Sequence, residues 1–286
     1  MSESCLLPAS HVSAAGFRVP HGAWDTHIHA IGAPDRFALA RERSYTPAIV
    51  PIDAYVQLMD ALGLARAVLV QPSIYGTDNA AMVDALQRFP ARFRGVAVVA
   101  ADVTDAALDT LHGAGVRGVR ANLLNRGGIS LADALALVPR LASRGWHLQL
   151  QIDVSTFDAF DVLARLSVPL VIDHVGYMAA DKGPRNPGFR RLVSLVEAGR
   201  CFVKLSAPYR LVDWRRNGFG AVGTLARTLI DANADRILWG SDWPHTDLRH
   251  DMPDDGELLG LLARWAPAEA VRRRVLVDNP ALLYGS

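Results

Sequence analysis

The hydrophobic positions of the chain fall into eight short apolar segments, separated by longer stretches with helical spacing. Segments that are almost continuously apolar and rich in Val, Ile or Leu are typical of strands buried on both faces of a parallel sheet. The pattern predicts strands at Ala23–Ala30, Ala67–Pro72, Gly95–Ala101, Val116–Leu123, Trp146–Ile152, Val168–Val175, Cys201–Ser206 and Arg236–Asp242.

The stretches between these segments are rich in Ala, Leu and Arg, and their apolar residues recur with the period of an amphipathic helix. They predict helices at Ile52–Leu62, Ala80–Phe89, Ala106–His112, Leu131–Ser143, Phe157–Leu166, Gly188–Ala198 and Ala221–Asn233, and a closing pair at Asp255–Trp265 and Ala268–Val277. Regular alternation of strands and helices is the signature of a parallel α/β fold.

Eight β/α units favour closure of the sheet into a (β/α)8 TIM barrel. The alternative, a doubly wound open sheet, normally has a glycine-rich turn after its first strand, and the segment Asp25–His29 contains no glycine. Three long insertions, Gly32–Pro51, Gly176–Pro187 and Ser206–Gly220, follow the carboxyl ends of predicted strands. Because that end of a barrel carries the active site, we expect these loops to form the pocket and its lid.

The length of 286 residues suits one barrel with a few insertions. We expect an N-terminal arm over residues 1–20, which lack periodicity, followed by a single catalytic domain over residues 21–286. Half of the residues are hydrophobic and 21% are charged, which is ordinary for a globular protein with a large core. The formal net charge of +1 gives no basic field for nucleic acid or a membrane surface.

The only cysteines, Cys5 and Cys201, are far apart and are predicted to be free thiols in a reducing compartment. No segment has the ~18 consecutive apolar residues of a membrane span, and the N-terminus lacks the cationic start and apolar run of a signal peptide. We therefore expect a cytoplasmic protein. The sequence leaves its oligomeric state open, a homo-oligomer included.

Four polar residues end predicted strands that otherwise exclude charge. His27 and His29 end the first strand, and their spacing of two points both side chains to one face. His174 ends the sixth strand and Asp242 ends the eighth. Since the carboxyl ends of barrel strands meet at one rim, we expect these four side chains to form one catalytic ring.

The segments around these residues resemble the amidohydrolase superfamily: Asp25–His29, Asp173–Gly176 and Gly240–His245. Longer segments are similar to its 2-pyrone-4,6-dicarboxylate lactonase branch: Arg43–Pro47, Val70–Asn79 and Gly118–Asn122. The resemblance spans nearly the whole chain. It implies a carboxylic-ester hydrolase of aromatic-compound catabolism that converts 2-pyrone-4,6-dicarboxylate to 4-oxalomesaconate.

Lactone hydrolysis needs a base that activates water and a group that polarises the carbonyl. We predict that Asp242 is the base. His27, His29 and His174 would then surround the carbonyl, polarise it and return a proton to the leaving oxygen. His245 and His250 follow Asp242 in the sequence, and whether they orient it or lie exposed stays open.

The predicted substrate-binding residues lie on loops and strand ends. Guanidinium groups pair with carboxylates, so arginines at one barrel mouth would select a small anionic lactone. Tyr45 and Ser73 correspond by resemblance to residues that hydrogen-bond the substrate, whereas Asp247 stands where that branch has an asparagine. The predicted set is Tyr45, Ser73, Arg120, Arg126, Arg210 and Asp247.

A metal is the main open question about cofactors. His27, His29 and Asp242 are suitable ligands for one divalent ion, Zn²⁺ or Mn²⁺. A binuclear site is disfavoured because the fourth and fifth strands carry Arg120, Gln149 and Gln151 in place of its bridging ligand and histidine. The lactonase branch implies no required metal, so we predict that no cofactor is required.

Three other functions are compatible with the sequence. One is a lactonase for muconolactone or a sugar-acid lactone, and Asp247 weakens the choice of a dicarboxylate. Another is a metal-dependent decarboxylase of the same superfamily. The third is a non-catalytic barrel, which the four polar residues disfavour. A partner protein is not indicated, and the expected partner is a small anionic lactone.

Overall fold

The computed structural model describes residues 5–285. Its centre is one sheet of eight parallel strands whose order follows the chain, β1 to β8. The strands are β1 (Trp24–Ile28), β2 (Arg66–Val70), β3 (Phe93–Ala97), β4 (Val116–Asn122), β5 (His147–Gln151), β6 (Leu170–Ile172), β7 (Cys201–Leu205) and β8 (Ile237–Trp239). The predicted (β/α)8 barrel is confirmed.

Helices pack around the sheet. They are α1 (Ile52–Leu62), α2 (Ala80–Arg88), α3 (Asp105–Ala114), α4 (Leu131–Ala142), α5 (Phe160–Leu163), α6 (Pro187–Glu197), α7 (Trp214–Asn217), α8 (Gly220–Asn233), α9 (Asp255–Trp265), α10 (Glu269–Arg273) and α11 (Asn279–Tyr284). None of those in the described part of the chain is long and apolar enough to cross a membrane.

The seam between the first and last strands lies beside the four predicted catalytic residues. Ile28 bridges to Trp243, and the Asp242 amide donates to the His27 carbonyl at 2.9 Å. Gly240 makes this approach sterically feasible, because a Cβ there would lie 2.6 Å from the His27 Cβ. The first and last strands therefore place Asp242 directly against the His27 backbone.

The barrel interior is apolar at its amino-terminal end. A buried cluster there includes Trp24, Val171, Phe202 and Leu238, and Tyr284 of α11 stacks on Trp24. Apart from His147, which begins β5 and packs on Tyr284, the buried polar residues of the strands lie toward their carboxyl ends. The fold thus separates a packed floor from a polar rim, as in other barrels of this type.

Three predicted strands were too long at their carboxyl ends. The predictions ended them at Ala101, Val175 and Asp242, whereas β3 ends at Ala97, β6 at Ile172 and β8 at Trp239. The chain beyond β6 and β8 turns into left-handed backbone, with φ of 51° at His174 and 71° at Asp242. Such dihedrals leave the extended region, so the ladder ends and both side chains lie on loops.

The predicted helix Phe157–Leu166 was also too long. The structure has only α5, because residues 153–157 form a turn in which Asp153 accepts from Ser155 and Phe157. The predicted helix Ala268–Val277 is α10 followed by a π-helical turn, Arg274–Asp278. The other predicted elements agree with the structure to within a few residues at their ends.

The segment before the barrel has neither strand nor helix from residue 5 to residue 20. It is nevertheless hydrogen-bonded to the loop after β8. The Leu6 amide donates to the Leu248 carbonyl at 2.8 Å, and the Ser13 amide donates to the Asp254 carboxylate at 2.9 Å.

Candidate active site

Asp242 lies at the centre of the polar rim, and its two oxygens have different surroundings. Oδ2 accepts a hydrogen bond from the Tyr209 hydroxyl at 2.7 Å and another from Arg210 Nε at 2.9 Å. Oδ1 faces three histidines. Tyr209 and Arg210 belong to the short turn Pro208–Arg210 after β7, so one loop fixes one oxygen and leaves the other available.

The histidine ring surrounds Oδ1 of Asp242. Asp242 Oδ1 lies 3.3 Å from His29 Nε2, 3.5 Å from His27 Nε2 and 3.9 Å from His174 Nε2. The structure therefore brings together all four residues that the sequence predicted as catalytic. Each is almost fully buried. Their catalytic roles stay predictions.

The Asp242 carboxylate is stabilised by its neighbours. Burial alone would raise its pKa, but the Arg210 guanidinium, followed by His174 and His29, holds the pKa well below its ordinary value. Asp242 therefore stays ionised at neutral pH. Burial lowers the pKa of His174 to about 4 and that of His27 well below its usual range, so both imidazoles are neutral there.

The hydrogen bonds of His29 and His27 determine which lone pairs face Asp242. His29 Nδ1 lies 2.8 Å from the Val70 carbonyl oxygen, which can only accept, so Nδ1 carries a proton. The other nitrogen, Nε2, then presents a lone pair to Oδ1 when His29 is neutral. His27 forms no hydrogen bond at either ring nitrogen, although both are buried. Asp242 Oδ1 and the histidine lone pairs that face it are all acceptors. A proton, a water molecule or a cation is therefore required between them.

Asp173 organises the layer beneath the ring. Its Oδ1 lies 3.3 Å from His27 Nδ1 and accepts from Gln149 at 2.8 Å, while its Oδ2 accepts from Arg120 Nε at 3.0 Å. Lys204 of β7 donates to the Thr26 carbonyl at 2.7 Å and to Gln149 at 2.9 Å. Arg120, predicted to bind substrate, is thus already paired with a buried carboxylate.

Three residues of the site, Asp173, Lys204 and Tyr209, were not predicted from the sequence. For the first two a signal was present, because each is a charged residue within or at the end of a strand that is otherwise apolar. Tyr209 gave no such signal, since a tyrosine in a loop is common.

A polar pocket opens above the ring. It is lined by His29, Tyr45, Pro72, Ser73, Arg120, Asn122, Asn125, Gln151, His174, Tyr177, Arg210, Asp242, Thr246 and Asp247. Five of the six predicted substrate-binding residues are in this wall. Of the Arg210 donors, Nε and Nη2 contact Asp242 and Thr246, which leaves Nη1 for a ligand.

Arg126 and Asp247 differ from what a simple anion pocket would contain. Arg126 is exposed and lies outside the pocket wall, although its amide donates to Ser44 of the first long loop at 3.2 Å. Asp247 lines the pocket, and its side chain is 39% exposed and 3.4 Å from Arg249. Two arginines, not three, therefore contribute to the pocket wall.

The loops that carry the ring have unusual backbone. His174, Ala207, Asp242 and His245 all have positive φ, between 48° and 71°. Non-glycine residues rarely adopt this region, and such strain concentrates at functional sites. Here it turns His174 and Asp242 inward from the ends of β6 and β8.

The residues fit a single divalent cation. His27, His29 and Asp242 place one ligand atom each within 4.8 Å of the others, and so do His27, Asp173 and His174. Both Asp173 oxygens are occupied by Arg120 and Gln149. The first set, with the unbonded His27 nitrogens and a His29 oriented by a carbonyl, is the one that suits a metal.

This fold and this site define a hydrolase of the TIM-barrel class. The family model described as Amidohydrolase matches residues 24–286, and the chain belongs to this family. The 4-sulfomuconolactone hydrolase of Hydrogenophaga intermedia is 38% identical over 100% of this chain and 96% of its own length. The 2-pyrone-4,6-dicarboxylate hydrolase of Comamonas testosteroni is 36% identical over 94% of this chain and 92% of its own length.

A solved structure from Acinetobacter baumannii with citric acid bound is 26% identical and covers 93% of this chain and 100% of that one, with a TM-score of 0.81. These comparisons confirm the predicted family and the predicted enzyme class, a lactone hydrolase.

Proposed function

We propose that the protein hydrolyses the lactone ring of a small polyanionic intermediate of aromatic catabolism, with 2-pyrone-4,6-dicarboxylate as the substrate and 4-oxalomesaconate as the product. The observation that carries this proposal is that the two oxygens of the Asp242 carboxylate have different neighbours. One oxygen is held by Tyr209 and Arg210, and the other faces three histidines at the floor of a polar pocket.

Asp242 Oδ1 accepts a proton from a water molecule as the water oxygen bonds to the lactone carbonyl carbon. The tetrahedral intermediate then collapses, the bond to the ring oxygen breaks, and the proton moves to that oxygen to give a carboxylic acid and an enol. A carboxyl group whose pKa is held low is a strong acid once protonated. Asp242 therefore returns the proton readily.

His174 is the group that we assign to the carbonyl oxygen. Its Nδ1 lies 2.8 Å from Ser206 Oγ, and a serine hydroxyl can donate to it. The neutral ring then carries its proton on Nε2, which faces the pocket. An N–H donor fixed in advance at a developing oxyanion stabilises it without reorganisation.

A divalent cation, when bound by His27, His29 and Asp242, would polarise the carbonyl or lower the pKa of water. That no metal is required stays a prediction. In the absence of a cation, His27 and His29 orient the water beside Oδ1, because their Nε2 atoms face this oxygen.

Polar and cationic groups in the pocket wall support an anionic substrate. Arg210 Nη1 offers a charged donor, and Ser73, Asn122 and Tyr45 offer neutral ones. The citric acid bound by the Acinetobacter relative shows that a related protein accepts a polycarboxylate. Arg120 and Arg210 already neutralise Asp173 and Asp242, so the substrate anions would share these arginines with the protein.

A second candidate substrate is 4-sulfomuconolactone. The Hydrogenophaga relative named for it is similar over the full chain. Asp247, in the pocket wall, disfavours any anionic group placed next to it, a sulfonate as well as a carboxylate.

A side-by-side assay tests the proposal. Purified protein is treated with a chelator, and ring opening of the two lactones is followed by ultraviolet absorbance with and without added Zn²⁺ or Mn²⁺. Turnover of the pyrone dicarboxylate supports the proposed substrate, and turnover only of the sulfolactone replaces it. Hydrolysis of neither lactone under any metal condition would refute the function. Full activity after chelation supports metal independence.

A further inference from the structure

A buried chain of polar contacts leads away from Asp242, on the side opposite the histidine ring. The Tyr209 hydroxyl donates to Asp242 Oδ2 at 2.7 Å, and His245 Nδ1 lies 3.0 Å from the same hydroxyl. His245 Nε2 lies 3.2 Å from Oδ1 of Asp255, the first residue of α9. The contacts thus connect the carboxylate of the candidate base to a helix outside the barrel.

Hydrogen-bond stoichiometry fixes the direction of this chain. The Tyr209 hydroxyl has one proton, and the Asp242 carboxylate can only accept, so the hydroxyl gives its proton to Asp242. His245 Nδ1 must therefore donate to the hydroxyl oxygen. The second ring nitrogen, Nε2, faces Asp255 Oδ1 at 3.2 Å.

The outer end of the chain is rigid. Asp254 caps α9 by accepting from the Glu257 amide at 3.0 Å, and it also accepts from Ser13. Asp255 lies in the first turn, where the helix dipole favours a negative charge. His245 Nε2 and Asp255 Oδ1 are both buried and form no hydrogen bond, with each other or with another described residue. Asp255 is therefore a close neighbour of His245, at 3.2 Å, and not its hydrogen-bond partner.

None of the three outer residues touches the substrate pocket. Tyr209, His245 and Asp255 are buried, and none lines the pocket wall. The pocket residues that contact Asp242 are His29, His174 and Arg210. The outer residues therefore act on the pocket through their neighbours, and the hydrogen bond from Tyr209 to the Asp242 carboxylate is the direct connection.

We propose that Tyr209 and His245 form a positioning relay that holds the Asp242 carboxylate with Oδ1 toward the histidines. The inference rests on the proposed function, in which Asp242 Oδ1 activates water. Arg210 alone leaves the carboxylate free to turn about a single shared oxygen, because both of its contacts go to Oδ2. The Tyr209 hydroxyl adds a hydrogen bond to the same oxygen, Oδ2, from a second side chain. His245, in contact with that hydroxyl, keeps it directed at Asp242.

Two substitutions at His245 are compared with Tyr209→Phe, which decides the test because His245 has a φ of 60°, a conformation that Asn tolerates better than Leu. His245→Leu places an apolar side chain of similar size against Tyr209 and removes both nitrogens. His245→Asn keeps an N–H group near the place of Nδ1 and loses the contact to Asp255. Tyr209→Phe removes a single oxygen and is the least disruptive break in the relay. His250→Asn is the matched control, because His250 is in the same loop with an 86% exposed side chain.

We expect Tyr209→Phe and His245→Leu to lower kcat about 10- to 100-fold, the range seen when residues that orient a catalytic group are removed, with KM changed less than about two-fold. His245→Asn should recover most of the lost kcat, and His250→Asn should match the wild type. The relay is refuted if Tyr209→Phe keeps kcat within about two-fold of the wild type. Equal losses in His245→Asn and His245→Leu, or a rise in KM in place of the fall in kcat, would also refute it.

A structural readout makes the result independent of the substrate. Crystal structures of the two His245 variants are compared at the distance between Asp242 Oδ1 and His29 Nε2, which is 3.3 Å here. The relay predicts that this distance lengthens in His245→Leu and is kept in His245→Asn. An unmoved carboxylate in His245→Leu refutes the relay even if the wild type hydrolyses no lactone, whereas lack of wild-type turnover alone refutes only the proposed function.

Discussion

Arg210 and Asp242 form a buried ion pair in which both Nε and Nη2 of the arginine lie 2.9 Å from the same carboxylate oxygen, Oδ2. The residue predicted to bind the substrate is therefore also the residue that keeps the candidate base ionised. Substrate anions and the catalytic carboxylate share one guanidinium group. Substitutions on either side of this pair should separate binding from chemistry.

The first prediction concerns Asp242→Asn. We expect kcat to fall about 10²- to 10⁴-fold, because an amide cannot accept the proton of water. The KM for a dianionic lactone should fall at the same time, because Arg210 loses its internal anion. Steady-state kinetics measures both, and Asp251→Asn in the same loop is the control. Retained kcat in Asp242→Asn would show that another group is the base.

A second prediction compares two arginines. Arg210→Met should raise KM at least about ten-fold, the free-energy scale of one charge-assisted hydrogen bond. It should also raise the pKa of Asp242, so that activity on the acidic side is lost at a higher pH than in the wild type.

Arg126→Met is the matched variant for this comparison, because Arg126 is exposed and outside the pocket wall. We expect a smaller rise in KM than in Arg210→Met. An equal rise would show that the loop carrying Arg126 folds over the bound lactone, as the sequence-based assignment requires. The KM values and pH profiles of the two variants decide between these outcomes.

The third prediction concerns Asp247→Asn. The change removes a negative charge from the pocket wall without changing the size of the side chain. Because this side chain is partly exposed, the relief is about 1 kcal/mol, which corresponds to about a five-fold lower KM for a dianion. A neutral lactone should show no change and serves as the control substrate. An unchanged KM for both would place the substrate anions away from Asp247.

A fourth prediction concerns the buried amine of Lys204 and the dependence of stability on pH. Burial lowers the pKa of Lys204 to about 7, against 10.5 for an exposed lysine. Between these values the unfolded chain holds a proton that the folded protein does not. The contribution of Lys204 to folding therefore becomes more favourable as pH rises, by up to about 1.4 kcal/mol per pH unit.

Urea unfolding of the wild type and of Lys204→Met between pH 7 and 9.5 measures this slope. The free energy of unfolding of the wild type should rise with pH relative to that of the variant. Parallel curves would show that Lys204 keeps its charge in the folded protein. The comparison removes the titration of the other groups, because both proteins contain them.

Much of the site was predictable from single strands. His27 and His29 lie two positions apart, and a strand points such residues to the same face whatever surrounds it. His174 and Asp242 follow apolar runs that end at the barrel rim. The sequence also indicated that Asp247 is unfavourable in a site for an anion. This inference needs only the sign of the Asp247 charge, which the sequence gives directly.

The ends of β6 and β8 were less predictable, since the apolar pattern continues past the point where the backbone turns. The left-handed dihedrals of His174 and Asp242 depend on the surrounding loops. Asp and His adopt positive φ more often than most residues, but this preference does not say at which position the strand ends. The pattern therefore placed the right residues at the rim but on the wrong kind of backbone.

The sequence by itself determined the barrel, the family and the four polar residues at the rim, because strand periodicity and motif spacing are local properties of the chain. Only the tertiary structure decided that Arg120 pairs with Asp173, that Arg210 pairs with Asp242, and that Tyr209 connects Asp242 to His245. All four contacts join residues more than thirty positions apart. Their distances are set by closure of the barrel, which brings the loops of different strands to one rim.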